Sequence, residues 1–308
     1  MTPQCAASLQ TLIDAAPALQ WPPPCPAPPP LRAAYQAHGL SFGKDWCFAQ
    51  RYEGEGEYVL DWNEAYITRY CQGIESGRES GTYGPQVIAR VQHAFSVLAQ
   101  GHGAPPSLAG TVGMVMGSEL PWVECLALNM GAAETLTFEY GTIRSSHPRA
   151  KARPLKEIAA DFIAARAHPI DWVASFSSLE HSGLGRYGDA LNPEGDAEAL
   201  RHAWCMLKPG GVMLLGVPSV CRNEGFIEYN AHRVYGFERL AFVARGFELL
   251  GFTDACGVGS EAASVDHAGR IVLLRKPLNG LEASELRAKD FAAASDHPFR
   301  VQCKGTKS

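Results

Sequence analysis

Hydrophobic and polar positions fall into a regular alternation across the middle of the chain. The apolar runs TVGMVM, TLTFEY, DWVASF and GVMLLGV read as strands. Between them, PWVECLALNMGA, PLKEIAADFIAAR and DAEALRHAWCMLK carry apolar residues at helical spacing. This β-α order predicts a parallel sheet with right-handed crossovers and a ligand crevice at the strand carboxyl ends. A further helix is expected over Phe237 to Leu250. FTDACGV and RIVLLRK then close the pattern as two strands, the final pair antiparallel to part of the sheet. The expected fold is therefore α/β: a Rossmann-like, doubly wound, mostly parallel sheet with an antiparallel C-terminal strand, in an α/β/α sandwich.

The flanks read differently. Residues 17–30 hold eight prolines in fourteen positions (PALQWPPPCPAPPP), which suits extended polyproline II rather than a helix or paired strand. Residues 1–30 are thus expected to form a proline-rich flexible arm, a spacer or a ligand for a proline-recognition partner. Residues 31–107 form a Tyr/Trp-rich extension. In it, Val87, Val91, Ala94, Phe95 and Leu98 mark one helix from Gly84 to Gln100, and GHGAPPS breaks the pattern before the core. The α/β core spans 108–278, and the polar tail 279–308 is expected to fray.

Composition narrows the class. With 27 Lys+Arg against 32 Asp+Glu the net charge is −5, which argues against a protein built to grip nucleic acid phosphates. A basic cluster of Arg144, Arg149, Lys151, Arg153 and Lys156 reads as a solvated loop and helix start. No run approaches the roughly 20 apolar residues that span a bilayer, and the first residues lack a basic segment followed by an apolar core and cleavage site. A cytoplasmic protein with no membrane contact is expected. The nine cysteines show no C-x-x-C pair, so reduced and mostly buried thiols are expected, with Cys125, Cys205 and Cys256 inside apolar segments.

Four segments carry chemistry. The first strand ends in Gly117-Ser118, a turn where glycine permits close backbone approach and the following helix start favours an anionic or polar group. Glu139, twenty-two residues on, closes the second strand, where a carboxylate can accept hydrogen bonds from both hydroxyls of a ribose. The loop Ser177-Ser178-Leu179-Glu180-His181 through Arg186-Tyr187-Gly188-Asp189 offers acid or base groups, an anion clamp in Arg186 and a stacking or donating Tyr187. An internal bond between Arg186 and Asp189 is the purely structural reading of that loop. A second polar cluster, Asn230, His232 and Arg233, follows the GVMLLGVP strand and reaches the same end of the sheet. No metal-ligand spacing such as H-E-x-x-H is present, so no metal is expected.

Together, GMVMGSELPWVECLALNMGA, TLTFEY, DWVASFSSLEHSGLGRYGD, LKPGGVMLLGVP and NAHRVYG resemble the class I S-adenosylmethionine-dependent methyltransferase fold. Within it the chain resembles a methyltransferase-like family first described as a nematode domain of unknown function; S-S-L-E-H-S-G-L-G-R-Y-G-D is the more specific stretch. The resemblance covers roughly Thr82 to Pro277. It implies that Gly113, Gly117 and Ser118 line the methionine moiety, that Glu139 holds the ribose, and that Ser177 to His181 face the sulfonium and substrate. Glu180, His181 and His232 would then be catalytic, with Arg186, Tyr187, Asp189, Asn230 and Arg233 around a small polar substrate, a sugar or an anion, methylated on oxygen or nitrogen. Two departures stand out. The acidic-Gly-x-Gly signature is replaced by Met-Val-Met-Gly-Ser, and the short span from Glu139 to Asp171 requires the third strand and its helix to be shortened or absent. Two other readings of the same segments are a catalytically inactive methyltransferase-like scaffold and an NAD-dependent Rossmann enzyme, the latter disfavoured by the missing G-x-G-x-x-G.

Overall fold

The structure is a computed structural model in which residues 1–15, 22–48, 59–99, 108–139, 141–256 and 270–296 are described; every structural statement below concerns these residues. The chain begins with α1 (Pro3–Asp14), α2 (Pro29–Tyr35), β1 (Leu40–Asp45), β2 (Val59–Trp62), α3 (Glu64–Glu75) and α4 (Pro85–Ala99). The core follows as β3 (Val112–Met116), α5 (Trp122–Asn129), β4 (Glu134–Phe138), β5 (Thr142–Ser145), β6 (Ala150–Ala152), α6 (Leu155–Ile163), β7 (Ile170–Phe176), α7 (Gly195–Met206) and β8 (Leu207–Gly216). It closes with β9 (Gly225–Tyr229), β10 (His232–Val234), α8 (Phe237–Val243), β11 (Glu248–Phe252), β12 (Ile271–Arg275) and α9 (Ala288–Asp296).

The main sheet has the order β11-β12-β8-β7-β3-β4-β6. Strands β6, β4, β3, β7 and β8 are mutually parallel, β12 is antiparallel to β8, and β11 is antiparallel to β12. The chain starts in the middle at β3, works outward through β4 and β6, then returns to β7 on the other side of β3. That reversal opens a crevice at the carboxyl ends of β3 and β7, where open α/β sheets bind ligands. Both faces are apolar because side chains alternate. Met114, Val173, Met213 and Val272 enter the core beneath α1, α6, α7 and α8. Val115, Ala174, Leu214 and Leu273 enter the core beneath α3, α4 and α5. A second sheet, β1-β9-β10, stands beyond the carboxyl end of β8, and β2 pairs with β5.

The third strand is shortened, as expected, to three residues, and the crossover from β4 to it carries β5 in place of a helix. Several other expectations are corrected. The helix expected over Phe237 to Leu250 stops at Val243, and β11 begins within that span at Glu248 rather than in FTDACGV, whose end lies outside the described residues. The N-terminal arm is largely built into the molecule. Helix α1 packs on α6 and α7 and buries Cys5 and Leu9. Past residues 17–21, which lie outside the described set, Pro24 accepts a hydrogen bond from the Tyr229 hydroxyl (3.0 Å) and Ala27 donates to Asp45 (2.9 Å). The tail is ordered as far as α9, anchored by Phe291, whose full burial is worth about 1.5–3 kcal/mol; 297–308 fall outside the description.

The thiols are the largest correction. Disulfides join Cys5 to Cys205, Cys25 to Cys47, Cys71 to Cys125 and Cys221 to Cys256. The apolar neighbourhoods of Cys125, Cys205 and Cys256 were compatible with either state, because a buried cystine is as apolar as two thiols. No helix among the described residues is long and apolar enough to cross a membrane.

Candidate functional site

A cavity of about 810 Å³ opens at the carboxyl ends of β3, β4 and β6, a size suited to a cofactor. Gly117, which ends β3, has φ +72°. A side chain there would meet both that backbone strain and the Ser178 side chain, so this turn needs glycine twice over. Glu139 Oε2 lies 3.6 Å from the same point. Gly117, Glu139 and Ser178, from three different strand ends, thus share one wall of the cavity. Arg153, Lys156, Asp189 and His202 contribute polar groups elsewhere, and Leu12 and Ala15 of the N-terminal segment complete the lining.

Gly113 and Ser118 are placed elsewhere. Gly113 lies within β3, where the Trp172 ring fills the space a side chain would take. Ser118 is buried, its Oγ 2.9 Å from Leu120 O and 3.1 Å from Glu124 Oε2, while Glu124 Oε1 accepts from the Thr137 hydroxyl at 2.6 Å. This network braces the β3–α5 turn against β4. Burial pushes the Glu124 carboxyl up to about 7. The folded state therefore holds that proton more tightly than the unfolded chain, so the associated stabilisation is present below about pH 4.5 and lost as pH rises through about 7. Glu124→Gln is expected to flatten this part of the profile, gaining stability relative to wild type between pH 5 and pH 8; denaturant titrations at both pH values give the comparison.

After β7 the chain turns sharply. Ser177 has φ +51°, and its Oγ donates to Glu180 Oε1 at 2.9 Å. A 3-10 turn, Leu179–His181, then carries Glu180 and His181, neither of which lines the cavity although Leu179 and Ser182 on either side of them do. His181 Nδ1 donates to Ala231 O at 2.6 Å, which leaves Nε2 as the acceptor of the neutral ring, 3.7 Å from Glu180 Oε1. Burial pushes His181 down to about 3 and Glu180 up to about 7. At neutral pH the imidazole is uncharged and the carboxyl is near its midpoint, so Glu180 is the better-matched general base. The two polar loops do meet: the His181 and His232 ring centroids are 6.3 Å apart, and His181 lies 5.4 Å from Tyr187. His232 Nε2 sits 3.6 Å from Glu228 Oε2.

Three further expected site residues serve the scaffold. Asp189 lines the cavity but does not pair with Arg186; its carboxylate accepts the backbone N–H of Gly183 (2.7 Å), Gly185 (3.2 Å) and Tyr187 (3.3 Å) and so shapes the loop. Asn230, at φ +59°, makes the β9–β10 turn, a conformation asparagine tolerates. Arg233 is fully buried. It donates to the carbonyls of Ser182 (2.6 Å), Asn192 and Pro193 and lies 3.6 Å from Asp196, so it cannot hold a substrate.

Sequence reasoning missed Tyr83. From the turn before α4 its hydroxyl meets Ser177, and its ring packs on Phe176 at 5.0 Å and Trp122 at 6.2 Å, closing the crevice next to Glu180. Only its place in an aromatic-rich segment hinted at a role. The basic cluster is engaged locally: Arg149 donates to carbonyls at the end of α5, Lys151 pairs with Glu134, Arg153 with Asp161, and Lys156 donates to Ala15 O. No group of three or more His, Cys, Asp or Glu among the described residues is arranged to hold a metal ion.

Residues 110–265 match the model of a family described as Caenorhabditis protein of unknown function, DUF268. Among solved structures, a Lactococcus lactis protein provisionally named a hemolysin is 14% identical with TM-score 0.41, over 67% of this chain and 95% of its own. The N-methyltransferase NodS from Bradyrhizobium japonicum WM9, in complex with S-adenosyl-l-homocysteine, is 12% identical with TM-score 0.37, over 69% of this chain and 97% of its own. At these identities and scores the likeness assigns no residue a role. None of the curated proteins compared matches the chain.

Proposed function

We propose that this chain, which belongs to the DUF268 family and has a methyltransferase-like fold, binds S-adenosylmethionine and methylates an oxygen or nitrogen of a small polar substrate. The observation that carries the reading is the convergence of Gly117, Glu139 and Ser178 on one cofactor-sized cavity at the switch point of the sheet. When bound, the cofactor supplies an electrophilic sulfonium methyl. The chain's own part is positioning and proton removal. Glu139 would accept the ribose hydroxyls, and Gly117 leaves the backbone open for close approach. Glu180 would take the acceptor's proton, with His181 held neutral beside it and Tyr83 shielding the site from water.

The test is isothermal titration with S-adenosylmethionine, S-adenosylhomocysteine and, as control, NAD. Glu139→Ala removes a charged acceptor worth about 1.5–3 kcal/mol per hydrogen bond, so affinity is expected to fall at least about tenfold. No binding of either sulfur compound by folded protein overturns the reading, and binding of NAD alone favours an oxidoreductase. One observation favours an inactive, scaffold-type relative: Glu180 and His181 do not line the cavity. That alternative requires cellular function to survive Glu180→Gln. The disulfides favour an oxidising compartment over the cytoplasmic location expected from the sequence.

A further inference from the structure

The arginines around the site divide into two kinds. Arg233 and Arg239 are charge-compensated: both lie against the Asp196 carboxylate, and Nη donors of each reach backbone carbonyls, although Arg233 Nε makes no hydrogen bond. Arg186, on the loop after β7, is not. Its guanidinium carbon lies 4.8 Å from the Phe48 ring centroid and 5.1 Å from that of Tyr187. Its hydrogen bonding amounts to one long contact, Nη1 to Ala231 O at 3.4 Å, and its Nε is buried without a partner. No carboxylate forms an ion pair with it among the described residues.

This is an expensive arrangement for a structural residue. A desolvated guanidinium donor left without a partner destabilises the fold, and such groups call for an explanation. Two aromatic rings flank the guanidinium of this half-buried side chain and limit its freedom, which pre-organises a fork of N–H donors matched to a carboxylate or phosphoryl group. The location is also specific. Ala231 O accepts from both Arg186 and His181, so the guanidinium is one shared acceptor away from the candidate base pair. Glu180 Oε2 and Asn230 Oδ1 are likewise buried without partners, so unmet polar atoms gather at this end of the sheet.

We propose that Arg186 is the anion-binding element of the acceptor site, and that the methyl acceptor carries a carboxylate or phosphoryl group that pairs with it. Only the word acceptor rests on the methyl-transfer reading; the anion subsite is tested without turnover. The probes are three sugars of one shape: glucuronate, glucose 6-phosphate and neutral glucose, titrated by saturation-transfer NMR and calorimetry with and without S-adenosylhomocysteine. At least one charged sugar is expected to bind at least tenfold more tightly than glucose, and which of the two does so identifies the anion as carboxylate or phosphoryl. Arg186→Gln is expected to remove that preference, and Arg186→Lys to restore part of it, because a point charge replaces the fork. Circular dichroism and thermal melting show whether each variant is folded. Equal binding of charged and neutral sugars, no binding of any, or a preference that survives in folded Arg186→Gln overturns the proposal. Anion selectivity without S-adenosylhomocysteine binding would leave the subsite standing and remove the methyltransferase reading. The converse would do the reverse.

Discussion

Asp196→Ala is expected to destabilise the protein by about 3–5 kcal/mol, the cost of breaking a buried ion pair from one side. Asp196 lies in the first turn of α7, fully buried, where it accepts from Arg239 Nη2 (2.5 Å), Arg239 Nε (3.0 Å) and the Tyr235 hydroxyl (2.9 Å), with Arg233 Nε at 3.6 Å. Burial alone would raise its pKa, but the two guanidiniums outweigh that and hold it below the usual carboxylate range. Its charge is therefore kept through neutral pH. Removing it leaves two cations in the core with only carbonyls for company. The loss would propagate, because Arg233 grips the carbonyls of Ser182, Asn192 and Pro193 and so fixes the loop bearing Glu180 and His181. Asp196→Asn keeps the shape and loses the charge, and should fall nearly as far. Urea unfolding of both variants measures this, and a loss under about 1 kcal/mol would show that the network is dispensable.

How far the sequence could be read follows from where each signal resides. Strands apolar on both faces and helices with one apolar stripe announce themselves locally, so β3, β4, β7, β8 and the helices between them were legible. Ala150-Lys151-Ala152 carries no such signal; it is a strand because β4 pairs with it. Gly117 and Glu139 were legible because a fixed spacing from strand ends places them. Arg233 was misread for the opposite reason. Its neighbours His232 and Asn230 are polar, and nothing local says that its side chain runs inward to Asp196, thirty-seven residues away in sequence. Tyr83 reaches the site only through the packing of α4 against the sheet, a tertiary event that residue spacing does not encode. Cysteine pairing is non-local in the same way, since Cys5 and Cys205 are 200 residues apart.

That long-range disulfide should control both stability and the cavity. Cys5 is on α1 and Cys205 on α7, and both helices supply lining: Leu12 from α1, and Glu198, His202 and Met206 from α7. Lys156 Nζ to Ala15 O (2.6 Å) and the His202 ring to Ser8 O (3.2 Å) add two weaker ties between the N-terminal segment and the core. Replacing both cysteines with serine is expected to cost about 2–5 kcal/mol, seen as a melting temperature lower by roughly 5–15 °C. Affinity for S-adenosylhomocysteine should fall with it, because one wall is no longer fastened. Reductant should lower the melting temperature of the wild type further than that of the double variant, since the variant has one disulfide fewer to lose. Thiol titration of the denatured, unreduced protein reads the premise directly. One reactive thiol, from Cys303, is expected when all four bonds are formed. Nine would return the chain to a reducing compartment and leave α1 held by its packing, the Lys156 contact and the His202 contact alone.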